Sequence, residues 1–331
     1  MNNITLSTGK IIPAIDNVSI LDSAAAAGVV LPYSCKTGRC SSCKCKVKQG
    51  TTTLLHPETG LTEQEKSEGW ILSCVRAAET DLVIEVEDLG GAVIPKAKTW
   101  PCRISEITRL APDVVKVMLR MPPAADFQFL PGQYLDVIGP GGVRRSYSIA
   151  NADFKDKQLE LHIRAVAGGE MSQYWFSQAK QNDLLRLNGP LGTFFLREIA
   201  GKIVYFLATG TGIAPIKSML DSILSMPKES QPKKLVMLWG GRYSHDLYLE
   251  LKVLPDFCTY IPVVSRPDDT WHGAKGHVQD VLLASGPDLS NAMVYACGSN
   301  AMINGAKDAL IKAGLSAANF YSDAFVCSGN N

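Results

Sequence analysis

The sequence is short of the features that mark specialised protein classes. Net charge is only +1, from 33 basic and 32 acidic side chains over 331 residues. No global field therefore points to nucleic acid or to an anionic membrane. Long hydrophobic runs are missing: residues 203–216, the longest apolar-looking stretch, contain Thr and Gly and lie between Lys202 and Lys217. That is too short and too broken to cross a bilayer. Met1-Asn2-Asn3-Ile4 opens no secretory leader, since neither a basic segment nor an apolar core follows. Repeats and low-complexity tracts are absent. His272 and His277 lack partners at metal spacing and read as loop residues. These absences lead to the expectation of a cytoplasmic protein with no nucleic-acid or membrane partner. Length, 46% hydrophobic content and 20% charged content describe a globular chain of two or three domains.

Cysteine is not scarce. Cys35-Lys36-Thr37-Gly38-Arg39-Cys40-Ser41-Ser42-Cys43 spaces three thiols as Cys-x4-Cys-x2-Cys, and Cys74 ends the run Ile71-Leu72-Ser73-Cys74. This is the plant-type [2Fe–2S] spacing. Two irons need four thiolates, three from one tight loop and the fourth from elsewhere. Small residues on the loop (Gly38, Ser41, Ser42) let backbone N–H groups approach the sulfurs. The competing readings are buried small hydrophobes, a zinc site and disulfides. Zinc favours Cys-x2-Cys pairs, of which there is one. A disulfide framework belongs to small secreted domains with an even cysteine count, and here there are nine. The expected metal ligands are Cys35, Cys40, Cys43 and Cys74. The remaining Cys45, Cys102, Cys258, Cys297 and Cys327 fit a reducing compartment.

Residues 1–90 read as a small β-rich domain. A hairpin turns at Thr8-Gly9, Ser19-Ile20-Leu21-Asp22 starts a helix that Gly28 stops, and Thr62–Glu65 caps a second short helix. Residues 81–87 alternate as a half-buried strand. Lys36, Arg39, Lys44, Lys46 and Lys48 lie beside the cysteine loop, while residues 58–88 are mostly acidic. These are either two solvated faces or a surface that steers an electron partner. Residues 91–98, with Gly and Pro, read as a linker. Residues 99–198 read as antiparallel β, with strands over 103–107, 114–121, 134–138 and 159–164. Residues 199–331 alternate β and α, with short apolar strands suited to a parallel sheet buried on both faces.

Two stretches in these later segments carry chemistry. Arg145-Ser146-Tyr147-Ser148 precedes His162-Ile163-Arg164 and Gly168-Gly169-Glu170-Met171-Ser172. A pyrophosphate wants a bidentate cation and a flat ring wants an aromatic neighbour. Gly169 and Ser172, opening a helix-like stretch over 171–178, offer backbone donors to phosphate. Gly210-Thr211-Gly212-Ile213-Ala214-Pro215 sits between a strand and a helix, where backbone donors meet a pyrophosphate, although the usual Gly-x-Gly-x-x-Gly is absent. Cys297-Gly298 ends another strand, at the edge where open α/β sheets bind ligands. Taken singly, each stretch is also compatible with ordinary structure: a barrel strand with an exposed Arg145, or a small buried Cys297.

Arg-x-Tyr-Ser, the Gly210–Pro215 turn and Cys297-Gly298-Ser299-x-x-Met302 together resemble the ferredoxin–NADP reductase superfamily. With the cysteine loop, the whole chain resembles its modular iron–sulfur flavoprotein reductases. The resemblance implies a multidomain fold: a β-grasp plant-type ferredoxin domain, an antiparallel six-stranded flavin-binding β-barrel and a doubly wound parallel-sheet α/β domain for NAD(P)H. It implies FAD contacts at Arg145, Ser146, Tyr147, Ser148, His162, Ile163, Arg164, Gly169, Met171 and Ser172. It implies nicotinamide contacts at Gly210, Thr211, Gly212, Pro215, Cys297 and Gly298, with Ser148 and Cys297 at the reacting ring edges and Phe325 near the flavin face. Phe325 is otherwise simple core packing. Within the superfamily the CDP-6-deoxy-Δ3,4-glucoseen reductases look most similar, through residues 98–102, 144–151, 262–265, 294–299 and 320–325. The implied electron acceptor is then a pyridoxamine-phosphate, iron–sulfur dehydrase. Reductase components of aromatic-ring dioxygenases resemble the chain nearly as well, which would make it an oxygenase component instead. Ser41 stands where many relatives carry Gly. Arg242 suits a 2′-phosphate and Asp246 disfavours one, which leaves the nicotinamide open on the residues. The family resemblance leans to NADH, with NADPH possible.

Overall fold

A computed structural model describes residues 2–90, 92–251 and 254–325. They fall into two compact units. The first joins the chain up to Ile94 with Gly192–Phe194 and the segment from Asp323 onward; the second takes Pro95–Leu191 and Phe195–Ser322. Cys327 lies outside the described residues.

The first unit is built from β1 (Asn3–Leu6), β2 (Ile11–Pro13), α1 (Ile20–Ala26), β3 (Lys44–Gln49), β4 (Thr52–Leu54), α2 (Glu63–Ser67), β5 (Trp70–Leu72), β6 (Arg76–Ala78) and β7 (Leu82–Glu85). Its main sheet has the order β2-β1-β7-β3-β5, with β1 and β7 parallel and their neighbours antiparallel. This is the β-grasp arrangement. The buried side chains alternate along β1 and β7 (Ile4, Leu6, Leu82, Ile84), and Ile20, Leu21 and Ala24 of α1 close over them. Local signals set the ends. Gly9 and Gly28 both take positive φ, Ser19 accepts from Asp22 N at the start of α1, and Thr62 and Glu65 form a reciprocal capping box on α2. The basic run is largely neutralised: Lys36 pairs with Asp22, Lys44 with Glu65 and Lys48 with Glu85.

The second unit contains two sheets. Strands β8 (Lys98–Ala111), β9 (Val114–Arg120), β10 (Tyr134–Ile138), β11 (Arg144–Ser148), β12 (Gln158–Arg164) and β13 (Leu184–Leu191) run β11-β10-β13-β8-β9-β12, all antiparallel. A bridge between Ile149 and Leu161 joins the two ends, so the sheet closes as a six-stranded barrel around Ile104, Val117, Leu135, Leu161 and Leu187. The expected helix over 171–178 is instead a four-residue α3 (Glu170–Gln173) followed by a π-helical turn, Tyr174–Gln178. The switch in winding buries both Tyr174 and Trp175 in the barrel core.

The other sheet holds β14 (Ile203–Thr209), β15 (Lys234–Gly241), β16 (Cys258–Val264), β17 (Ala274–Lys275), β18 (Ala292–Gly298) and β19 (Phe320–Ala324), with α4 (Ile213–Leu224), α5 (Val278–Ala284) and α6 (Asn300–Lys312) between them. Its order is β17-β16-β15-β14-β18-β19, and the pairs from β17 to β18 are parallel. From the central β14 the chain goes first to β15 on one side and later to β18 on the other. The topological switch point therefore lies between β14 and β18. Helix α4 starts three residues earlier than the apolar pattern predicts. Pro215 is tolerated because it sits in the first turn, where N–H groups have no helical partner. Among the described residues no helix is long and apolar enough to cross a membrane.

One buried ion pair braces the first unit. Glu58, whose side chain is 3% exposed, takes Arg76 Nη2 at 2.9 Å and also accepts from Leu72 N at 2.5 Å. Removing one partner of such a pair leaves the other charge uncompensated. Glu58→Gln should lower the unfolding free energy of this unit by about 3 kcal/mol, read by urea denaturation. A loss under about 0.5 kcal/mol, the scale of a surface substitution, would rule the brace out.

Candidate functional site

The cysteine loop folds on an unusual backbone. Lys36, Gly38 and Ser41 have φ of 54°, 74° and 61°. These left-handed turns wind the three thiols of the loop inward. Gly38 is required: a Cβ there would run into the carbonyl of Pro57. The Pro57–Gly60 turn is fastened to the loop by Gly60 N to Gly38 O at 2.8 Å and by Ser41 Oγ donating to Gly60 O. Through Glu58 the same turn holds Leu72 and Arg76, the residues flanking Cys74.

The four thiols meet as two pairs. Cys35 and Cys40 share one hydrogen bond, Cys43 and Cys74 another. The hydrogen bond from Cys40 pulls the Cys35 thiol well below its ordinary range, and that from Cys43 lowers Cys74. The same bonds, with burial, raise Cys40 and Cys43. Backbone donors reach the sulfurs as well, Thr37 N to Cys35 Sγ at 3.3 Å and Cys35 N to Cys40 Sγ at 3.4 Å. Among the described residues no three His, Cys, Asp or Glu side chains gather as they would around a single ion. Mononuclear zinc draws four ligands to one point, whereas a [2Fe–2S] centre takes two thiolates per iron. The two pairs fit the second. The described cysteines form no disulfides.

In the barrel, Arg145-Ser146-Tyr147-Ser148 is strand β11. Arg145 and Tyr147 share one face, opposite Val137 and Leu135 of β10. Ser146 is on the other face, where its Oγ donates to Asp136 at 2.6 Å. Tyr147 is fixed by Trp175, whose Nε1 donates to the phenol oxygen at 3.0 Å with the rings edge to face. Burial pushes the phenol up to about 12, so it stays protonated at neutral pH. Ser148 is buried at the strand end. Gly169 precedes α3, Met171 is buried, and Ser172 Oγ accepts from Val166 N at 2.8 Å.

The nucleotide-type residues converge at the switch point. Gly210-Thr211-Gly212 leaves β14 and Cys297-Gly298 ends β18, and the two turns touch. A Cβ on Gly212 would overlap the Cys297 carbonyl, and one on Gly298 (φ 146°) would overlap Thr209 Oγ1. Trp239 Nε1 donates to Gly210 O at 3.0 Å, and Pro215 sits inside α4. Cys297 is fully buried.

Glu160 and Tyr248, which spacing did not single out, tie some of these pieces together. His162 is buried with both ring nitrogens engaged, Nε2 by Glu160 at 2.8 Å and Nδ1 by Tyr248 OH at 3.2 Å. Its ring nitrogens are therefore taken, and Ile163 next to it is buried in β12. Glu160 is raised by burial but held below the ordinary carboxylate range by the His162 hydrogen bond and by Lys217. Arg164 reaches Asp113 at 3.3 Å and Asp246 at 3.5 Å, with Nη1 close beside Gly210. Asp246 also accepts from Arg242 N at 2.8 Å and Tyr243 N at 3.0 Å. The sequence signal for Tyr248 is faint: a lone Tyr in an irregular stretch after β15. Ser148 and Cys297 belong to the second compact unit, and Phe325, 38% exposed, to the first.

A paired-thiol loop, a closed barrel with an Arg-x-Tyr-Ser strand and a parallel sheet with a glycine turn at its switch point define an iron–sulfur flavoprotein oxidoreductase. Known proteins agree. Residues 4–79 match the 2Fe-2S iron-sulfur cluster binding domain, 101–196 the oxidoreductase FAD-binding domain and 206–308 the oxidoreductase NAD-binding domain. The chain belongs to the modular iron–sulfur flavoprotein reductases of the ferredoxin–NADP reductase superfamily. It is 40% identical to CDP-6-deoxy-L-threo-D-glycero-4-hexulose-3-dehydrase reductase of Yersinia pestis, over 98% of this chain and 99% of that one. It is 31% identical to the toluate 1,2-dioxygenase electron transfer component of Pseudomonas putida, over 96% of each. The crystal structure of Amycolatopsis cytochrome P450 reductase GcoB superposes with TM-score 0.74 at 26% identity, covering 98% of this chain and 99% of that one.

The contact between the two turns makes a direct test. Gly212→Ala should force them apart at a cost of about 1–3 kcal/mol, weakening NADH binding roughly tenfold or more while flavin content stays unchanged. Wild-type NADH affinity in this variant, measured by anaerobic titration, would contradict the geometry.

Proposed function

We propose that the chain carries electrons from NADH, through FAD held in the barrel and a [2Fe–2S] centre on Cys35, Cys40, Cys43 and Cys74, to a partner enzyme. One observation carries this reading: a two-pair thiol loop and a switch-point glycine turn occur in one polypeptide. The bound groups would supply the chemistry that side chains lack, conversion of a two-electron donor into single electrons. The protein binds and orients. Arg145 offers a guanidinium to the flavin pyrophosphate, Tyr147 a ring face locked by Trp175, and the Gly210–Gly212 turn backbone donors at the start of α4. Cys297 and Ser148 would lie at the reacting edges. No side chain is asked to act as a strong acid or base.

The partner favoured is a CDP-4-keto-6-deoxyglucose 3-dehydrase, the pyridoxamine-phosphate, iron–sulfur enzyme of CDP-sugar deoxygenation, making the chain a CDP-6-deoxy-Δ3,4-glucoseen reductase. The Yersinia pestis relative supports it by its identity and full-length coverage. A terminal oxygenase is the second reading, supported by the toluate dioxygenase component. NADH is favoured over NADPH because the Asp246 carboxylate, hydrogen-bonded to the Arg242 and Tyr243 amides, would repel a 2′-phosphate.

Cys40→Ser separates the two halves of the route. NADH-to-ferricyanide turnover should persist, while cytochrome c or dehydrase reduction falls by about a hundredfold. Loss of both activities with FAD still bound would refute the proposed electron order. Reconstitution with a purified 3-dehydrase, against a dioxygenase terminal component, separates the two partners.

A further inference from the structure

The stretch just before the first cysteine of the loop is gripped by residues far away in sequence. Ser34 Oγ donates to Asp323 Oδ1 at 2.5 Å across 289 residues, and both side chains are buried. One residue earlier, Tyr33 N donates to Thr193 Oγ1 at 2.8 Å, and Thr193 N donates to Tyr33 O at 3.0 Å. Thr193 and Asp323 both belong to the first compact unit, although the chain reaches them from the barrel and from β19. An acid removed from water costs several kcal/mol unless it is given a partner. Ser34 is that partner, and it is the residue before Cys35.

We infer that Asp323 is a positioning residue for the iron–sulfur loop: it fixes Ser34 and thereby the direction in which Cys35 presents its sulfur. The inference rests on the reading of Cys35 as a cluster ligand. Outer partners of ligands orient the donor atom and slow its release. Here the outer partner comes from the last described strand, so the loop reaches its working shape only in the full chain. A loop fixed by its own turns alone would need neither contact.

The test uses full-length holoprotein carrying Ser34→Ala, Asp323→Ala, Asp323→Asn or the double alanine change. Two signals are read, the EPR g values of the dithionite-reduced protein and the rate of iron release to a chelator. Ser34→Ala and Asp323→Ala should shift the g values and speed iron release about tenfold. The double variant should be no faster than the faster of the two single alanine variants, since both remove the Ser34–Asp323 bond. Asp323→Asn keeps an acceptor oxygen for Ser34 and should restore the slow release. Wild-type g values and release in Ser34→Ala would overturn the inference, as would an asparagine variant as fast as alanine. If Asp323→Ala does not fold, Ser34→Ala, which loses one hydroxyl, decides alone. Wild-type protein lacking both iron and an EPR signal would instead sink the cluster reading itself.

Discussion

Everything in the first unit follows from the need to bring four sulfurs together without bringing them to one point. Three of them share a nine-residue loop, Cys35–Cys43, and the fourth, Cys74, arrives from the segment between β5 and β6. A loop that short cannot turn its thiols inward through ordinary backbone, so Lys36, Gly38 and Ser41 take left-handed geometry. Each left-handed non-glycine residue costs about 1 kcal/mol. The cost is offset by fastening the loop to the Pro57–Gly60 turn, which in turn needs a buried Glu58 to hold the segment around Cys74. A chain of local constraints thus runs from thiol chemistry to a buried ion pair.

The second unit solves a different problem with the same economy of space. Two strand ends approach each other closely at the switch point. Gly212 and Gly298 provide that approach, and a side chain at either would separate the turns. On the barrel, alternation along β11 puts Arg145 and Tyr147 on one face and gives Ser146 to Asp136. The four-residue motif is thereby divided between the two faces of the sheet.

Much of this was legible in the residues themselves. The hairpin at Gly9, the caps at Ser19 and Thr62 and the switch from alternating strands to apolar parallel ones depend on neighbours in sequence, which spacing reports. What spacing could not report were contacts across long separations. Glu58 looked like one member of an acidic stretch, yet it is buried against Arg76. Nor could spacing report that Glu160 and Tyr248 occupy the ring nitrogens of His162. The basic run beside the cysteines looked like a surface of one sign until Asp22, Glu65 and Glu85 were found paired with it. The helical stretch over 171–178 is present but widens to a π turn at Tyr174, a change of winding that buries both Tyr174 and Trp175.

Ser41 shows how sequence can shape a loop before folding begins. Glycine would adopt its left-handed backbone more cheaply, but glycine also explores far more of conformational space in the unfolded chain. Fixing it costs about 0.4–1 kcal/mol more in entropy than fixing a residue with a side chain. The strain at serine and the freedom it gives up beforehand are therefore of similar size, and its hydroxyl adds a contact to Gly60 that glycine lacks. The serine at this position buys stiffness, a property that matters for a redox centre whose surroundings should reorganise little each time an electron passes.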